Sequence, residues 1–437
     1  MRFFDRAKEL DFLRQLRRES ESGARLTILK GRRRVGKTSL LQHAYGDEDF
    51  IYFFVARKNE TDLCIDFQAE VSRFFGTSIP GRVGSFEEIF KYLMELSVER
   101  HFTLVIDEFQ EFLRINPSIF SAMQRDWDRF KTRSRINLIV SGSINRMMEQ
   151  IFNADQPLYG RATNEFQLAP FTTATCKEIL SEYASEYDPE ALLALWTFTG
   201  GVAKYVELLM DGHAVDMETM VERYISDGSI IPNEGKVLLV DEFKKEYGTY
   251  FSIMSLIASG NTSRGEIQNV IGRDIGGYLT KLADEYRLIS KKVPLGEEGG
   301  RNMLYTIEDN FLRFWFRFIY RYQSAIELKA FDRLRQFVTR DHKTFSGKAL
   351  EGYFRARLAE EGGWTKIGGW WDRKGENEID IVAIDEFDKR VLFAEVKRNP
   401  EKINPSVLPK RAEEFLKAKS RYADYEREYR SLSMQDM

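Results

Sequence analysis

The first 170 residues alternate between short apolar runs and longer segments with helical spacing of apolar residues. The apolar runs are Leu26–Leu29, Phe50–Val55, Phe102–Ile106 and Ile136–Val140. Runs of this length and composition are typical of strands buried on both faces of a parallel sheet. The segments with helical spacing are 5–20, 62–75, 86–99 and 118–133. The alternation predicts an α/β domain with a parallel sheet and right-handed crossovers.

The pattern changes after Pro170. A helix-rich stretch extends to Tyr224 and is followed by the turn-rich segment 226–235. Within 251–307, helical patterns precede two short apolar runs that flank a Gly/Glu-rich turn at 296–300. This helix–helix–helix–hairpin order predicts a winged helix. Ser263 and Glu266 are spaced as a capping box at the start of one of its helices. From about residue 345 a second α/β pattern begins.

Composition excludes several classes of protein. The 437 residues contain 65 Lys+Arg and 68 Asp+Glu, a net charge of −3. This balance excludes a globally basic nucleic-acid binder, although a local basic surface remains compatible with it. Two cysteines, Cys64 and Cys176, suit a reducing compartment and argue against a disulfide framework.

The N-terminal segment has charges every few residues and no apolar region, which predicts a cytoplasmic protein without a secretory signal. The most apolar run, FLRFWFRFIY at 311–320, is too short to span a membrane and contains Arg313 and Arg317. With Arg321, these residues recur at every fourth position. We therefore expect a core helix with a charged edge and no membrane contact.

A phosphate-binding loop follows the first predicted strand. The segment from Gly31 to Thr38 fits G-x-x-x-x-G-K-[ST] and precedes a predicted helix. Glycines allow backbone N–H groups to face phosphates, and a helix N-terminus favours anions. We expect Lys37 to contact the β/γ-phosphates and Thr38 to ligate Mg²⁺. The predicted nucleotide-binding residues here are Gly31, Arg34, Val35, Gly36, Lys37, Thr38 and Ser39.

An acidic pair ends the strand at 102–106. Asp107 is expected to hold Mg²⁺, and Glu108 to orient the attacking water as the catalytic residue beside Lys37. Ser141 and Ser143, at the tip of the next strand, either contact the γ-phosphate or only form a turn. Arg161 either stabilises the transferred charge as an arginine finger or is an ordinary surface arginine.

Several ordered motifs in residues 1–230 resemble the archaeal-type ATPases of the AAA+ superfamily, which are close to signal-transduction ATPases. They are FFDRAKELDFL, LKGRRRVGKTSLL, LVIDEFQ, LIVSGS, LYGR and TGGVAKYVELL. The resemblance implies an ATP-binding α/β domain with a helical lid and favours ATP over GTP. The family's lid motif is Gly-Gly-x-Pro, whereas here Gly200 and Gly201 are followed by Val202 and Ala203.

Charged residues recur at every second position on two predicted strands near the C-terminus. Glu378 and Asp380 lie on one, and Glu395 and Lys397 on the next, so each pair points to one face. Convergence of the Asp380 and Glu395 carboxylates predicts a site for Mg²⁺ or Mn²⁺, with Lys397 as a further catalytic group. Glu351, on a predicted helix, is an auxiliary metal ligand. A hairpin with solvated charges is the alternative.

The order Glu…Asp…Glu-x-Lys over about 300–410 resembles the PD-(D/E)XK nuclease fold and the C-terminal domain commonly appended to archaeal-type ATPases. The resemblance implies a restriction-endonuclease-like α/β core. The predicted domains are a P-loop ATPase core (1–170), a helical lid (171–235), a winged helix (236–307) and a nuclease-like domain (308–437).

Two functions remain open from the sequence. The first is an ATP-hydrolysing switch coupled to a metal-dependent, DNA-cleaving domain. The second is an ATP-dependent regulator that binds DNA or protein without cutting. Lys291 and Lys292 flank the wing, but acidic residues in the same segment leave DNA binding by the winged helix open. Expected partners are ATP, DNA and either a protein or a second copy of the chain.

Overall fold

The computed structural model describes residues 1–46, 50–79, 81, 83–143, 145–243, 247–297, 299, 303–373 and 375–437. Residues 298 and 300 of the predicted hairpin turn lie outside this set. The chain divides into two compact units, which are described separately. The first unit is Asp5–Pro170, and the second is Phe171–Met437 with Met1–Phe4. The segments predicted as lid, winged helix and nuclease-like domain all belong to the second unit, so the boundaries at 235 and 307 stay predictions.

The first unit is an α/β structure around a parallel sheet, as the sequence predicts. The strands found among its described residues are β1 (Arg25–Lys30), β2 (Phe50–Phe54), β3 (Phe102–Asp107), β4 (Ile136–Gly142) and β5 (Asn164–Gln167), in the order β2-β3-β4-β1-β5. The helices are α1 (Ala7–Glu19), α2 (Lys37–Tyr45), α3 (Glu60–Phe75), α4 (Phe86–Leu96), α5 (Phe112–Ile115), α6 (Ile119–Phe130) and α7 (Asn145–Phe152).

Strand β4 lies between β1 and β3 and fixes where their ends meet. Leu29 of β1 is paired with Ser141 of β4, and Val140 of β4 is paired with Ile106 of β3. All these pairings are parallel, so the carboxyl ends of the three strands lie side by side. The phosphate loop after β1, the acidic pair after β3 and the serine tip of β4 are therefore neighbours at one edge of the sheet.

The second unit begins with helices. They are α8 (Thr173–Tyr183), α9 (Pro189–Thr199), α10 (Ala203–Met210), α11 (Met217–Tyr224), α12 (Ile231–Phe243), α13 (Tyr247–Ala258), α14 (Arg264–Ile271) and α15 (Gly276–Thr280). The predicted capping box is present, since Ser263 and Glu266 bond to each other's backbone N–H groups. The helix of α15 continues as a π-helical turn at Lys281–Glu285. An antiparallel hairpin of β6 (Ser290–Lys292) and β7 (Leu304–Thr306) follows.

Helices then lead into a second sheet. They are α16 (Asn310–Phe314), which continues as a π-helical turn at Trp315–Ile319, α17 (Gln323–Glu327), α18 (Phe331–Phe345) and α19 (Gly347–Glu361). The sheet contains β8 (Lys366–Trp371), β9 (Glu378–Asp385), β10 (Arg390–Lys397) and β11 (Glu426–Ser433), with α20 (Val407–Ala418) before β11. Strands β8, β9 and β10 are antiparallel neighbours, and β11 runs parallel to β10. Across the described residues, no helix has the length and apolar character needed to cross a membrane.

Aromatic packing dominates the core of the second unit. Trp315 is almost fully buried, and its indole N–H donates to the backbone oxygen of Ile231 at 3.0 Å. A Cβ added at Gly235, within α12, would lie 2.2 Å from the Trp315 ring. Helix α12 can therefore approach this ring only because residue 235 has no side chain.

We expect Gly235→Ala to lower the free energy of unfolding by about 1–3 kcal/mol, because the methyl group overpacks a rigid buried ring. The matched control is Gly352→Ala, within α19, where an added Cβ meets nothing within 4 Å. Because alanine favours a helix interior more than glycine does, this control substitution should leave the free energy of unfolding unchanged or raise it. Thermal or urea unfolding measures both. Equal stability of the two variants would contradict the packing described here.

Candidate functional site

The phosphate loop connects β1 to α2 in the conformation expected for anion binding. Arg34 and Gly36 have positive φ values of 72° and 100°, and Gly36 precedes α2 without providing a side-chain cap. The first N–H groups of α2 are therefore available to a ligand. The Lys37 ammonium donates to the backbone oxygens of Gly31 at 2.8 Å and Arg32 at 3.3 Å. Burial lowers the pKa of Lys37, whereas the charges of Asp107 and Glu108 act in the opposite direction.

Asp107 lies directly opposite this loop. Its carboxylate accepts hydrogen bonds from the Thr38 hydroxyl at 3.4 Å and the Tyr52 hydroxyl at 2.6 Å. Burial, the Asp107 charge and the Asp107 hydrogen bond raise the pKa of Tyr52, so the phenol remains a proton donor at neutral pH. The second Asp107 oxygen accepts from the Glu108 backbone N–H at 2.9 Å. These bonds hold the carboxylate in one orientation beside Thr38.

Glu108 is positioned by its backbone and by two side chains. It has a positive φ of 52°, which is uncommon for a residue with a Cβ. The Ser143 hydroxyl donates to the Glu108 carboxylate, 3.0 Å and 2.8 Å from its two oxygens, and the Gln110 amide donates to the same group. Strained backbone at a polar site is a feature of functional positions. The carboxylate is thus held at the carboxyl end of the sheet.

The remaining predicted residues occupy different surroundings. Ser141 is fully buried within β4, and its hydroxyl has no hydrogen-bond partner among the described residues. Ser143, the other serine considered, is the one that contacts Glu108. Arg161 donates to the Asp128 carboxylate at 2.9 Å and to the Tyr159 backbone oxygen at 2.7 Å. Within this unit Arg161 is therefore engaged in a surface ion pair, and its role as an arginine finger stays a prediction.

These groups fit a nucleoside triphosphate with Mg²⁺. The uncapped N-terminus of α2 and the Lys37 ammonium suit the phosphates, while the Thr38 hydroxyl and Asp107 carboxylate are oxygen ligands that Mg²⁺ accepts. Nowhere in the described parts of the chain do three or more His, Cys, Asp or Glu residues converge as a metal cage. Mg²⁺ commonly binds in this way, through one or two protein ligands, phosphate oxygens and water.

Comparison with known proteins assigns an ATPase domain to the first part of the chain. A family described as an ATPase domain predominantly from Archaea matches residues 3–209, and a family described as Archaea bacterial proteins of unknown function matches residues 315–405. An uncharacterized protein of Methanocaldococcus jannaschii is 30% identical over 407 residues, which cover 90% of this chain and 87% of that protein. The chain belongs to this family of archaeal-type P-loop ATPases.

Solved structures support the fold of the ATPase. A Walker-type ATPase of Pyrococcus abyssi is similar with a TM-score of 0.55 and 18% identity, covering 72% of this chain and 96% of the other. The ORC2 protein of Aeropyrum pernix, solved in ADPNP–ADP complexes, gives a TM-score of 0.53 at 15% identity and covers 76% and 94%. At these identities the similarity establishes a shared fold.

The second unit of the ATPase brings the predicted C-terminal residues together. The Lys397 ammonium lies 3.0 Å from the Asp380 carboxylate and 2.8 Å from that of Glu395. Asp380 also accepts the Val396 backbone N–H at 2.8 Å, and Glu395 pairs with Arg411 at 3.1 Å. Burial acts to lower the pKa of Lys397, but the hydrogen bond to Glu395 and the charge of Asp380 raise it overall. Two carboxylates on adjacent strands form a donor set that suits one divalent cation.

Glu351 lies beside this cluster on α19. Arg355 bridges the two, since its guanidinium donates to the Glu351 carboxylate at 3.0 Å and to the Asp380 backbone oxygen at 2.7 Å. Burial raises the pKa of Glu351, Arg355 opposes this, and the charges of Asp380 and Glu378 raise it further. The pKa of Glu351 is therefore raised overall even though the Arg355 guanidinium is bonded to it.

Sequence reasoning missed the groups that orient the predicted carboxylates. These are Tyr52 and Gln110 in the first unit, and Arg355 and Arg411 in the second. Tyr52 lies on β2, where Val105 of β3 is its neighbour, so its reach to Asp107 depends on the strand register. Arg355 is four residues after Glu351, a spacing that already indicates an ion pair on one helix face.

The raised pKa of Glu351 gives a pH-dependent prediction. The folded protein retains this proton over a range in which the unfolded chain has lost it, so the free energy of unfolding falls as pH rises through that range. Glu351→Gln removes this loss. We expect the variant to melt at a higher temperature than the parent at pH 8 in EDTA, with the difference disappearing below the unfolded pKa of about 4.5.

Glu95→Gln, an exposed substitution on α4, is the control and should follow the parent at every pH. A Glu351→Gln protein that is less stable than the parent at pH 8 would show that the ionised carboxylate stabilises the fold.

Proposed function

We propose that the chain is an ATP-hydrolysing switch in which Lys37, Thr38, Asp107 and Glu108 form the reaction site. One observation carries the assignment. The Thr38 hydroxyl, at the start of α2, lies 3.4 Å from Asp107, while Ser143 holds the adjacent Glu108 carboxylate. Binding, metal coordination and activation of water thus have separate residues at one edge of the sheet.

Each residue has a role that follows from its chemistry. Lys37 and the N–H groups of α2 bind the phosphates, and Thr38 and Asp107 would hold Mg²⁺, which would neutralise phosphate charge. Tyr52 orients Asp107 through its hydrogen bond. Glu108 orients a water molecule for in-line attack on the γ-phosphorus and accepts its proton as the bond to the β-phosphate oxygen breaks. ADP and inorganic phosphate are the products.

Glu108→Gln should separate binding from hydrolysis. The amide retains the size of the carboxylate but accepts no proton, so we expect the hydrolysis rate to fall by about 10²–10⁴-fold. ATP affinity should change little, because Lys37 and the loop are intact. Phosphate release and equilibrium binding of ATP measure the two quantities, with Glu95→Gln as the matched control. Hydrolysis at the parental rate by Glu108→Gln would remove Glu108 from the proposed mechanism.

A second activity is proposed for the carboxylate cluster of the second unit, namely metal-dependent cleavage of DNA. The convergence of Asp380, Glu395 and Lys397 favours it. Support also comes from the arrangement of α19, three antiparallel strands, α20 and a parallel fourth strand, which is the order expected for the PD-(D/E)XK core. A divalent cation bound by the two carboxylates would polarise the scissile phosphodiester, and Lys397 would stabilise its developing charge.

DNA binding by the three helices and hairpin at 247–306 forms part of this proposal. Lys291 and Lys292 lie on β6 and are paired with Asp284 and Glu308. Because these lysines are already neutralised, a contact with DNA must compete with the ion pairs, which favours modest affinity. The alternative is a switch whose second unit binds DNA or protein without cutting it.

The nuclease proposal is tested with plasmid and single-stranded DNA in Mg²⁺ or Mn²⁺, with and without ATP. We expect Asp380→Asn to reduce cutting by more than about 100-fold, because even residues behind a metal ligand contribute 10–100-fold. ATP hydrolysis should be retained. Asp388→Asn, in the exposed turn between β9 and β10, is the matched control. Equal cutting by the two variants, or none by the parent under any condition, would favour the non-cleaving switch.

A further inference from the structure

A cavity of about 350 Å³ lies in the second unit, and its lining residues do not include Asp380, Glu395 or Lys397. The end of α13, strand β7, the helix at 310–319, the end of α18 and the start of α19 surround it. Ile257, Ile307 and Phe345 supply apolar walls, and Ser259, Thr306 and Thr344 supply hydroxyl groups. Its volume falls in the range of small-molecule sites, above what a single phosphate ion needs.

Arginines of the periodic stripe at 313, 317 and 321 converge on this cavity. Arg313 and Arg317 line it, and Arg321 donates to Ser259 of its wall at 3.2 Å. Lys348 lies at the exposed mouth. The one carboxylate among the described lining residues is Asp341, which is already paired with Arg317 at 3.1 Å and with Arg340 at 2.7 Å. The lining therefore carries an excess of positive charge.

Arg313 is a partly buried cation with no bonded anion among the described residues. Its Nε and Nη2 atoms are buried and have no hydrogen-bond acceptor in the described parts of the chain, and its guanidinium lies 5.2 Å from the centre of the Phe345 ring. Burial lowers the pKa of Arg313 to about 10, which leaves it charged at neutral pH, and Glu308 and Glu351 act to raise it.

Both of those carboxylates already have other partners. Glu308 pairs with Lys292 at 2.7 Å, and Glu351 pairs with Arg355 at 3.0 Å. Buried charges normally have a paired group and filled hydrogen bonds, whereas two buried nitrogens of the Arg313 guanidinium have no acceptor in the part of the chain that the structure describes. Guanidinium donors in this state suit an oxyanion that accepts two bonds at once.

We propose that this cavity binds a small phosphate-bearing ligand of about mononucleotide size, with Arg313 and Arg317 holding the phosphate and Phe345 lining the space for the organic part. A phosphate group matches the two guanidinium groups and the serine and threonine hydroxyl groups of the lining. Burial of the Arg313 nitrogens favours a ligand that enters a pocket over a polymer that lies on the surface. This site is independent of the proposed reactions at Glu108 and Asp380.

The test uses the full chain carrying Lys37→Ala, which weakens nucleotide binding at the phosphate loop. Inorganic phosphate, ribose 5-phosphate and AMP are titrated calorimetrically, and thermal unfolding is followed with each. We expect binding by this parent protein and an increase in its melting temperature. Added Arg313→Met should weaken binding by about tenfold or more, the effect of losing charge-assisted hydrogen bonds. Without ligand, its melting temperature should equal or exceed that of the parent, because an unpaired buried charge is removed.

Arg333→Met, on the exposed face of α18, carries the same charge change outside the cavity and should bind like the parent. Arg317→Gln is a second variant with the same expected loss of binding, and it carries the test if Arg313→Met does not fold. Failure of the parent to bind any of the three probes overturns the proposal. Equal binding by the Arg313 and Arg333 variants also overturns it. A single-stranded oligonucleotide is titrated in the same way, and binding of the oligonucleotide but of none of the three small probes overturns the proposal as well.

Discussion

The pairing of β4 between β1 and β3 is the constraint on which the ATP site depends. Side chains alternate between the two faces of a strand, so a slip of one residue would turn every side chain of β4 to the other face. All residues of β4 are buried, including the polar Asn137 and Ser141. A slip in either direction would turn these two polar side chains to the opposite face of the sheet, and this fixes the register. As a result, Ser143 contacts Glu108 and Thr38 contacts Asp107, although the residues of each pair are far apart in the sequence.

In the second unit, the Lys397 ammonium holds two carboxylates of neighbouring strands close together. Lys397 lies between Asp380 and Glu395, which would otherwise repel each other at the ends of neighbouring strands. Arg411 binds the second Glu395 oxygen, and the Val396 N–H donates to the same Asp380 oxygen that Lys397 contacts. These contacts hold the two carboxylates together, and in the proposed nuclease the same carboxylates would bind a divalent cation. Both proposed functions of this unit, DNA cleavage and binding without cleavage, are compatible with this arrangement. A measurement of nuclease activity is therefore needed to distinguish them.

Much of the first unit could be predicted from sequence, and the exceptions have physical causes. Strands β1, β3 and β4 are buried on both faces and β2 is a run of aromatic and aliphatic residues, so all four stand out in the sequence. Strand β5 was missed because its residues, Asn164–Gln167, alternate between half-buried and exposed at the edge of the sheet. The third helix of the helix–helix–helix–hairpin segment becomes π-helical at Lys281, since apolar spacing does not report the hydrogen-bond register. Tyr52 was missed because its partner lies across a strand pair.

The arginine stripe shows most clearly what sequence pattern leaves out. Spacing predicted a charged edge on a core helix, and that edge exists, but the three arginines differ in their partners. Arg317 has Asp341 and Arg321 has Ser259, whereas two buried nitrogens of Arg313 have no acceptor among the described residues. Lys397, a partly buried cation in the same unit, is by contrast paired with the carboxylates of Asp380 and Glu395. A cation without a partner inside a cavity lowers the stability of the fold. The proposed anionic ligand would supply the partner that Arg313 lacks among the described residues and would offset this loss of stability.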